Sequence, residues 1–68
     1  MYKIKETEIK KLLFKKGLKR SDLANGAGIS IETINNWYYR NTKANYKSVK
    51  KICNFLNVDK ELIFIKEG

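Results

Sequence analysis

Residues 20–39, Arg20 to Tyr39, read RSDLANGAGISIETINNWYY, and the fold turns on how this stretch is read. Leu23, Ala24 and Ala27 fall at i, i+1 and i+4, an apolar stripe on one short helix. Ile31, Ile34 and Trp37 (or Tyr38) give a second stripe at helical spacing. Between the stripes, Gly28 can take a positive φ at no steric cost, which lets Ile29 turn inward. Ser30 is placed to cap the second helix, its hydroxyl accepting an otherwise orphaned backbone N–H. Ala24 is small, as a close crossing of two helices requires. The spacing is specific: a small residue, a glycine four positions on, then a branched apolar residue six beyond that.

Such a helix-turn-helix can lay its second helix in the major groove of DNA. From Ile9 to Val58 the chain resembles, without gaps, the Cro/repressor-type helix-turn-helix proteins, the xenobiotic-response-element family of regulators. Ala24, Gly28, Ile34 and Trp37 fall on that family's core positions. Gly17-Leu18 matches the link between its first two helices, and Leu56-Asn57-Val58 the end of its fourth. Three residues depart from the pattern. Arg20 replaces the usual glutamine that touches a phosphate, Tyr38 a frequent glutamate, and Arg40 the glycine that usually ends the recognition helix. The resemblance implies an all-α fold, a bundle of about five short helices of the lambda-repressor-like kind.

Length and composition agree with this expectation. At 68 residues the chain predicts a single domain, residues 1–68, with 59–68 a tail for core cover or dimerisation. Chains this short bury only roughly 60% of their unfolded surface, leaving little room for an enclosed active site. No apolar run approaches the ~20 residues of a membrane span. The charged start lacks the apolar core of a secretory signal. Fifteen Lys and Arg against seven Asp and Glu give a formal net charge of +8, which favours polyanions, nucleic acid before anionic membrane. A lysine-rich composition also arises from genomic bias. The one cysteine, Cys53, predicts a reducing, cytoplasmic and nucleoid-associated setting. With no histidine, neither a metal nor another cofactor is expected. Nor is enzymatic activity: there is no glycine-rich phosphate loop and no carboxylate pair sharing a site, and neighbours Ser21 and Asp22 lie on different faces of a helix.

Along the chain, Met1 to Lys5 alternates apolar and basic residues, either a short strand or an unwound lead-in. Thr7 is a candidate cap for a first helix with Ile9, Leu12 and Leu13 on its inner face, closed by Gly17. Gly26 costs the next helix roughly 1 kcal/mol against alanine, with no compensating role evident. Asn41 is the candidate left-handed residue after the recognition helix, and Asn45 caps a fourth helix. Tyr46, Val49, Ile52, Cys53 and Leu56 recur on one face of that fourth helix, which Asn57 ends. Mid-stripe, Cys53 reads as a small buried hydrophobe. For the apolar tail, the family implies a fifth helix over 59–64. A strand pairing with residues 2–5, or with a second subunit, is the alternative.

With Ile34 and Trp37 turned inward, the base-reading candidates are Ser30, Ile31, Glu32, Asn35, Asn36 and Tyr39. The resemblance carries base contact most strongly onto Ile31, Glu32, Asn35 and Asn36. Asparagine can pair with adenine, glutamate can accept from cytosine, and Ile31 can pack on a thymine methyl. Each asparagine also reads as a solvated amide, and Glu32 as a favourable charge near a helix start. Phosphate candidates are Lys19, Arg20, Ser21, Arg40, Thr42, Lys43 and Lys47, with Tyr39 at the margin. Lys10, Lys11, Lys15 and Lys16 form a solvated face. Trp37, ending a stripe, reads as core rather than a stacking platform.

The expected partner is a pseudo-palindromic double-stranded DNA operator bound by a homodimer, with the chain acting as a transcriptional repressor of phage or mobile-element type. Two rivals stand beside this reading. One is a protein-docking module such as an antitoxin or antirepressor, favoured by an apolar surface at Ile31, Tyr38, Tyr39 and the tail. The other binds nucleic acid or anionic membrane through charge alone.

Overall fold

Three helices of this protein end in the same way, and those endings set the angles of the fold. The computed structural model describes residues 1–67. Helices α1 (Glu6–Lys16), α2 (Arg20–Ala27) and α4 (Tyr46–Leu56) are closed by Gly17, Gly28 and Asn57, at φ of 70°, 73° and 57°. The next residue is apolar each time: Leu18, Ile29, Val58. Its N–H reaches back to the carbonyl five positions earlier, on Leu13, Ala24 and Cys53, at 2.9, 3.0 and 3.1 Å. Each of these apolar side chains packs half-buried against the core. A left-handed residue followed by a hydrophobic one thus satisfies an orphan carbonyl and reverses the chain in one step.

The remaining elements are α3 (Ile31–Tyr39), α5 (Lys60–Ile63) and two strands, β1 (Tyr2–Ile4) and β2 (Phe64–Lys66). Among the described residues the protein is mostly helical, with five helices as the sequence predicts, and a minor two-stranded sheet. Both tail alternatives are realised in succession. Residues 60–63 are helical, and Phe64–Lys66 then pairs antiparallel with Tyr2–Ile4. On its other side Tyr2 exchanges two backbone hydrogen bonds with Ala44, at 2.8 and 2.7 Å. So small a sheet is marginal alone, and packing holds it. Tyr2, Ile4, Ile63 and Phe64 are buried, and Phe64 meets Trp37 edge-on at 6.0 Å.

The core joins Ile9 and Leu13 of α1, Leu23 and Ala24 of α2, Ile34, Trp37 and Tyr38 of α3, and Val49, Ile52, Cys53 and Leu56 of α4. Fully enclosed side chains such as Leu23 and Ile34 each contribute about 1.5–3 kcal/mol of burial. Three sequence expectations need correction. Thr7 is inside α1 rather than capping it. The Lys5 N–H is committed to the Ile63 carbonyl at 2.8 Å, so strand passes directly into helix with no side-chain cap. Tyr46 is exposed, lying beside Tyr2 at the rim, because it opens α4 before the buried stripe begins. Ile31 is exposed too, in the first turn of α3, while Trp37 and Tyr38 are both buried.

Gly26 proves to have a packing role: a Cβ there would collide with the Phe55 ring of α4. Phe55 is itself partly exposed, so it can swing aside at the cost of its contact with α2. Gly26→Ala therefore gains little or nothing in the wild-type background. In a Phe55→Ala background it recovers the ordinary helix gain of about 1 kcal/mol. Urea denaturation of the four proteins checks this. Equal gains in both backgrounds would show that the ring does not constrain position 26.

Candidate nucleic-acid interface

Helix α3 is fixed at both ends by polar contacts specific to it. Ser30 Oγ accepts from the Thr33 N–H at 3.1 Å and lies 2.8 Å from Thr33 Oγ1. Ser30 therefore serves first as the N-cap, with its hydroxyl engaged. At the far end Arg40 has φ −110°, and the left-handed turn falls on Asn41 at φ 56°. The Arg40 and Thr42 N–H groups then both reach the Asn36 carbonyl, at 3.0 and 3.3 Å. Asparagine tolerates this conformation where arginine does not, so the departure at Arg40 shifts the terminator by one residue.

With Ile34, Trp37 and Tyr38 in the core, Glu32, Asn36 and Tyr39 follow one another at i, i+4 and i+7 on the opposite side. Ile31 and Asn35 run beside them. Glu32, Ile31 and Tyr39 are exposed, and Asn35 and Asn36 are half-buried. The face thus carries acceptor, amide and phenol groups with one branched apolar side chain, the mixture that reading base edges requires.

The phosphate-contact candidates flank this face in the chain. Lys19 precedes α2, its N–H held by Asp22 Oδ2 at 2.8 Å, and Ser21 is the second residue of α2. Arg40, Thr42 and Lys43 occupy the α3–α4 connector, all exposed. Lys47 lies in the first turn of α4, whose cap Asn45 accepts from the Ser48 N–H at 2.8 Å. Lys43 is paired with Glu67 at 2.8 Å, an exposed contact that a phosphate can displace. Among the described residues only Lys10, Lys43 and Lys60, of fifteen Lys and Arg, form ion pairs, so most of the positive charge is uncompensated locally.

Arg20 is arranged differently from the other phosphate candidates. Its Nη1 donates to Asn35 Oδ1 at 2.7 Å, and its guanidinium carbon lies 5.3 Å and 5.1 Å from the Tyr38 and Tyr39 ring centroids. No residue pattern points to this contact. Fifteen positions separate the partners, and only the crossing of α2 and α3 brings them together.

Among the described residues no cluster of metal-binding side chains occurs, and no helix is long and apolar enough to cross a membrane. Cys53 is buried between α4 and the α5 region, and burial pushes its thiol up, away from a reactive thiolate. The chain belongs to the Cro/C1-type HTH DNA-binding domain family, which matches it over residues 8–64. It is therefore a DNA-binding regulatory domain, with double-stranded DNA as its partner. No curated protein and no solved structure matches it significantly.

Among the described residues, Tyr38 carries the one buried side-chain polar atom left without a hydrogen-bond partner, its hydroxyl. Burial raises its pKa from 10.0 to about 12, against the opposing pull of Arg20. Because the folded-state value is raised, the neutral phenol's contribution is complete below pH 10. It is lost as pH climbs from 10 towards about 12. Tyr38→Phe removes both the unpaired hydroxyl and this titration. The variant should be at least as stable as wild type at pH 7 and lose less stability between pH 10 and 12 in urea denaturation. Parallel losses for the two proteins would contradict the assignment.

Proposed function

We propose that this protein is a sequence-specific transcriptional regulator of repressor type, inserting α3 into the major groove as a homodimer on a pseudo-palindromic operator. The observation that carries the reading is the polar row Glu32, Asn36 and Tyr39, set on a helix capped at both ends. Ile31 and Asn35 border that row, and Ser30 begins it. Lys19, Ser21, Arg40, Thr42, Lys43 and Lys47 supply phosphate contacts that fix the register, assisted by backbone N–H groups at the starts of α2 and α4. Lys43 exchanges Glu67 for phosphate in doing so.

Repression needs only occupancy of a promoter, and the family resemblance supports a phage or mobile-element setting, with the chain in the cytoplasm at the nucleoid. Exposed Leu62 on α5 and Ile65 on β2 support dimer formation through the tail. The protein-docking alternative is less well supported. Tyr38 is buried, and Ile31 and Tyr39 are interleaved with Glu32 and Asn36, so the apolar patch that reading needs is broken up.

Selection from random duplexes at near-physiological salt tests the reading. An inverted repeat with half-sites about 34 Å apart is the expected result. A single half-site contradicts the dimer, and binding without any enrichment contradicts sequence-specific regulation. On the selected site, Asn36→Ala should cost about 1–3 kcal/mol. Lys47→Ala should weaken all duplexes alike and reduce the slope of log K against log salt by about one. Loss of selectivity in the lysine variant, with uniform weakening in the asparagine variant, would reverse these assignments.

A further inference from the structure

Arg20 opens α2, yet its guanidinium lies over α3, held by Asn35 and the rings of Tyr38 and Tyr39. Three residues of the recognition helix therefore position one cation. Cation–π contact with two rings inclined at 64° to each other restrains the position of the guanidinium. Its hydrogen bond constrains Asn35 in turn. Arginine has donors and no acceptor, so the atom of Asn35 that faces it must be Oδ1. The amide is thereby oriented, with Nδ2 turned away from Arg20 and making no hydrogen bond among the described residues.

An unconstrained asparagine reads adenine with both amide atoms, Oδ1 accepting from N6 and Nδ2 donating to N7. Here Oδ1 already accepts from Arg20. One lone pair of Oδ1 remains, and beside it the couple sets donors: the Nδ2 group of Asn35 and the remaining N–H groups of the guanidinium. Guanine is the base whose major-groove edge presents two adjacent acceptors, N7 and O6. Adenine sets an N6 donor against the same array.

We infer that Arg20 and Asn35 form a single donor-rich reader selective for guanine, in which Arg20 is the positioning and specificity-determining residue rather than a phosphate anchor. The inference rests on the reading that α3 enters the major groove. It predicts the class of base recognised at one position of each half-site, which α3 alone leaves open.

The test is selection from random duplexes with wild type, Asn35→Ala, Arg20→Met and Arg20→Gln, each first confirmed folded by thermal melting. Arg20→Met keeps an apolar stem against the tyrosines. Arg20→Gln installs the residue usual in the family, whose amide can face Asn35 with either atom. The wild-type motif should contain a guanine that Asn35→Ala no longer selects. Both Arg20 variants should admit adenine at that same position, lowering guanine-over-adenine discrimination by about tenfold. Neighbouring positions should be unchanged.

If the Arg20 variants retain the guanine but weaken all sequences equally and flatten the salt dependence, Arg20 is a phosphate anchor. The inference then fails while major-groove reading stands. A motif in which no guanine responds to Asn35→Ala also overturns it. A wild-type protein that selects nothing defeats the underlying reading. One measurement needs no variant: 7-deazaguanine at the selected position removes the N7 acceptor and should weaken wild-type binding by about tenfold. Unchanged affinity contradicts the reader.

Discussion

The Ala24 carbonyl accepts from two backbone N–H groups, those of Gly28 and Ile29, each at 3.0 Å, and the direction of α3 depends on that convergence. It forces the chain through a left-handed residue directly after α2 and turns Ile29 towards the core. Three residues later the next helix has begun, already capped by Ser30. A side chain at position 28 would be strained there by roughly 1–2 kcal/mol. The small Ala24 side chain, buried at the same point, lets α2 and α3 approach closely enough for Leu23 and Ile34 to be fully enclosed.

Other contacts keep this arrangement in place. The clasp of β1 between β2 and Ala44 ties both ends of the described chain to the connector that follows α3. The buried Phe64 supports Trp37 from beneath. One face of α3 is thus committed to the core, which leaves Glu32, Asn36 and Tyr39 on the opposite side. Their chemistry can then be set by what they must recognise. The cost of the arrangement is local: Tyr38, whose ring lies under the Arg20 guanidinium, brings into the core a hydroxyl with no hydrogen-bond partner among the described residues.

Much of the fold was legible in the sequence because its signals are local. Gly17, Gly28, Asn41 and Asn57 take the left-handed conformation their positions suggest, and Ser30 and Asn45 cap as their side chains allow. Helical spacing placed Ile9, Leu13, Ile34 and the α4 stripe from Val49 to Leu56 in the core. Local signals failed where a tertiary contact decided the outcome. Thr7 lost its capping role because the Lys5 carbonyl already accepts from the Ile9 N–H, which starts α1 at Glu6. Tyr46 and Ile31 fit a helical period but sit at helix starts beyond the reach of the neighbouring helix. Gly26 looked costly until Phe55 gave it a reason. In the candidate site, the face of α3 follows from periodicity. The coupling of Arg20 to Asn35 does not, since it depends on how two helices cross.

In the function proposed above, the face of α3 opposite Ile34 and Trp37, flanked by the starts of α2 and α4, is the surface that meets DNA. Amide and side-chain chemical-shift mapping of isotope-labelled protein against a duplex carrying the selected site tests this most directly. The account predicts the largest changes at Lys19, Ser21, Glu32, Asn35, Asn36, Tyr39 and Lys47, with α1 and the β1–β2 sheet little affected. Changes concentrated on the lysines of α1 or on the sheet, with α3 silent, would contradict it.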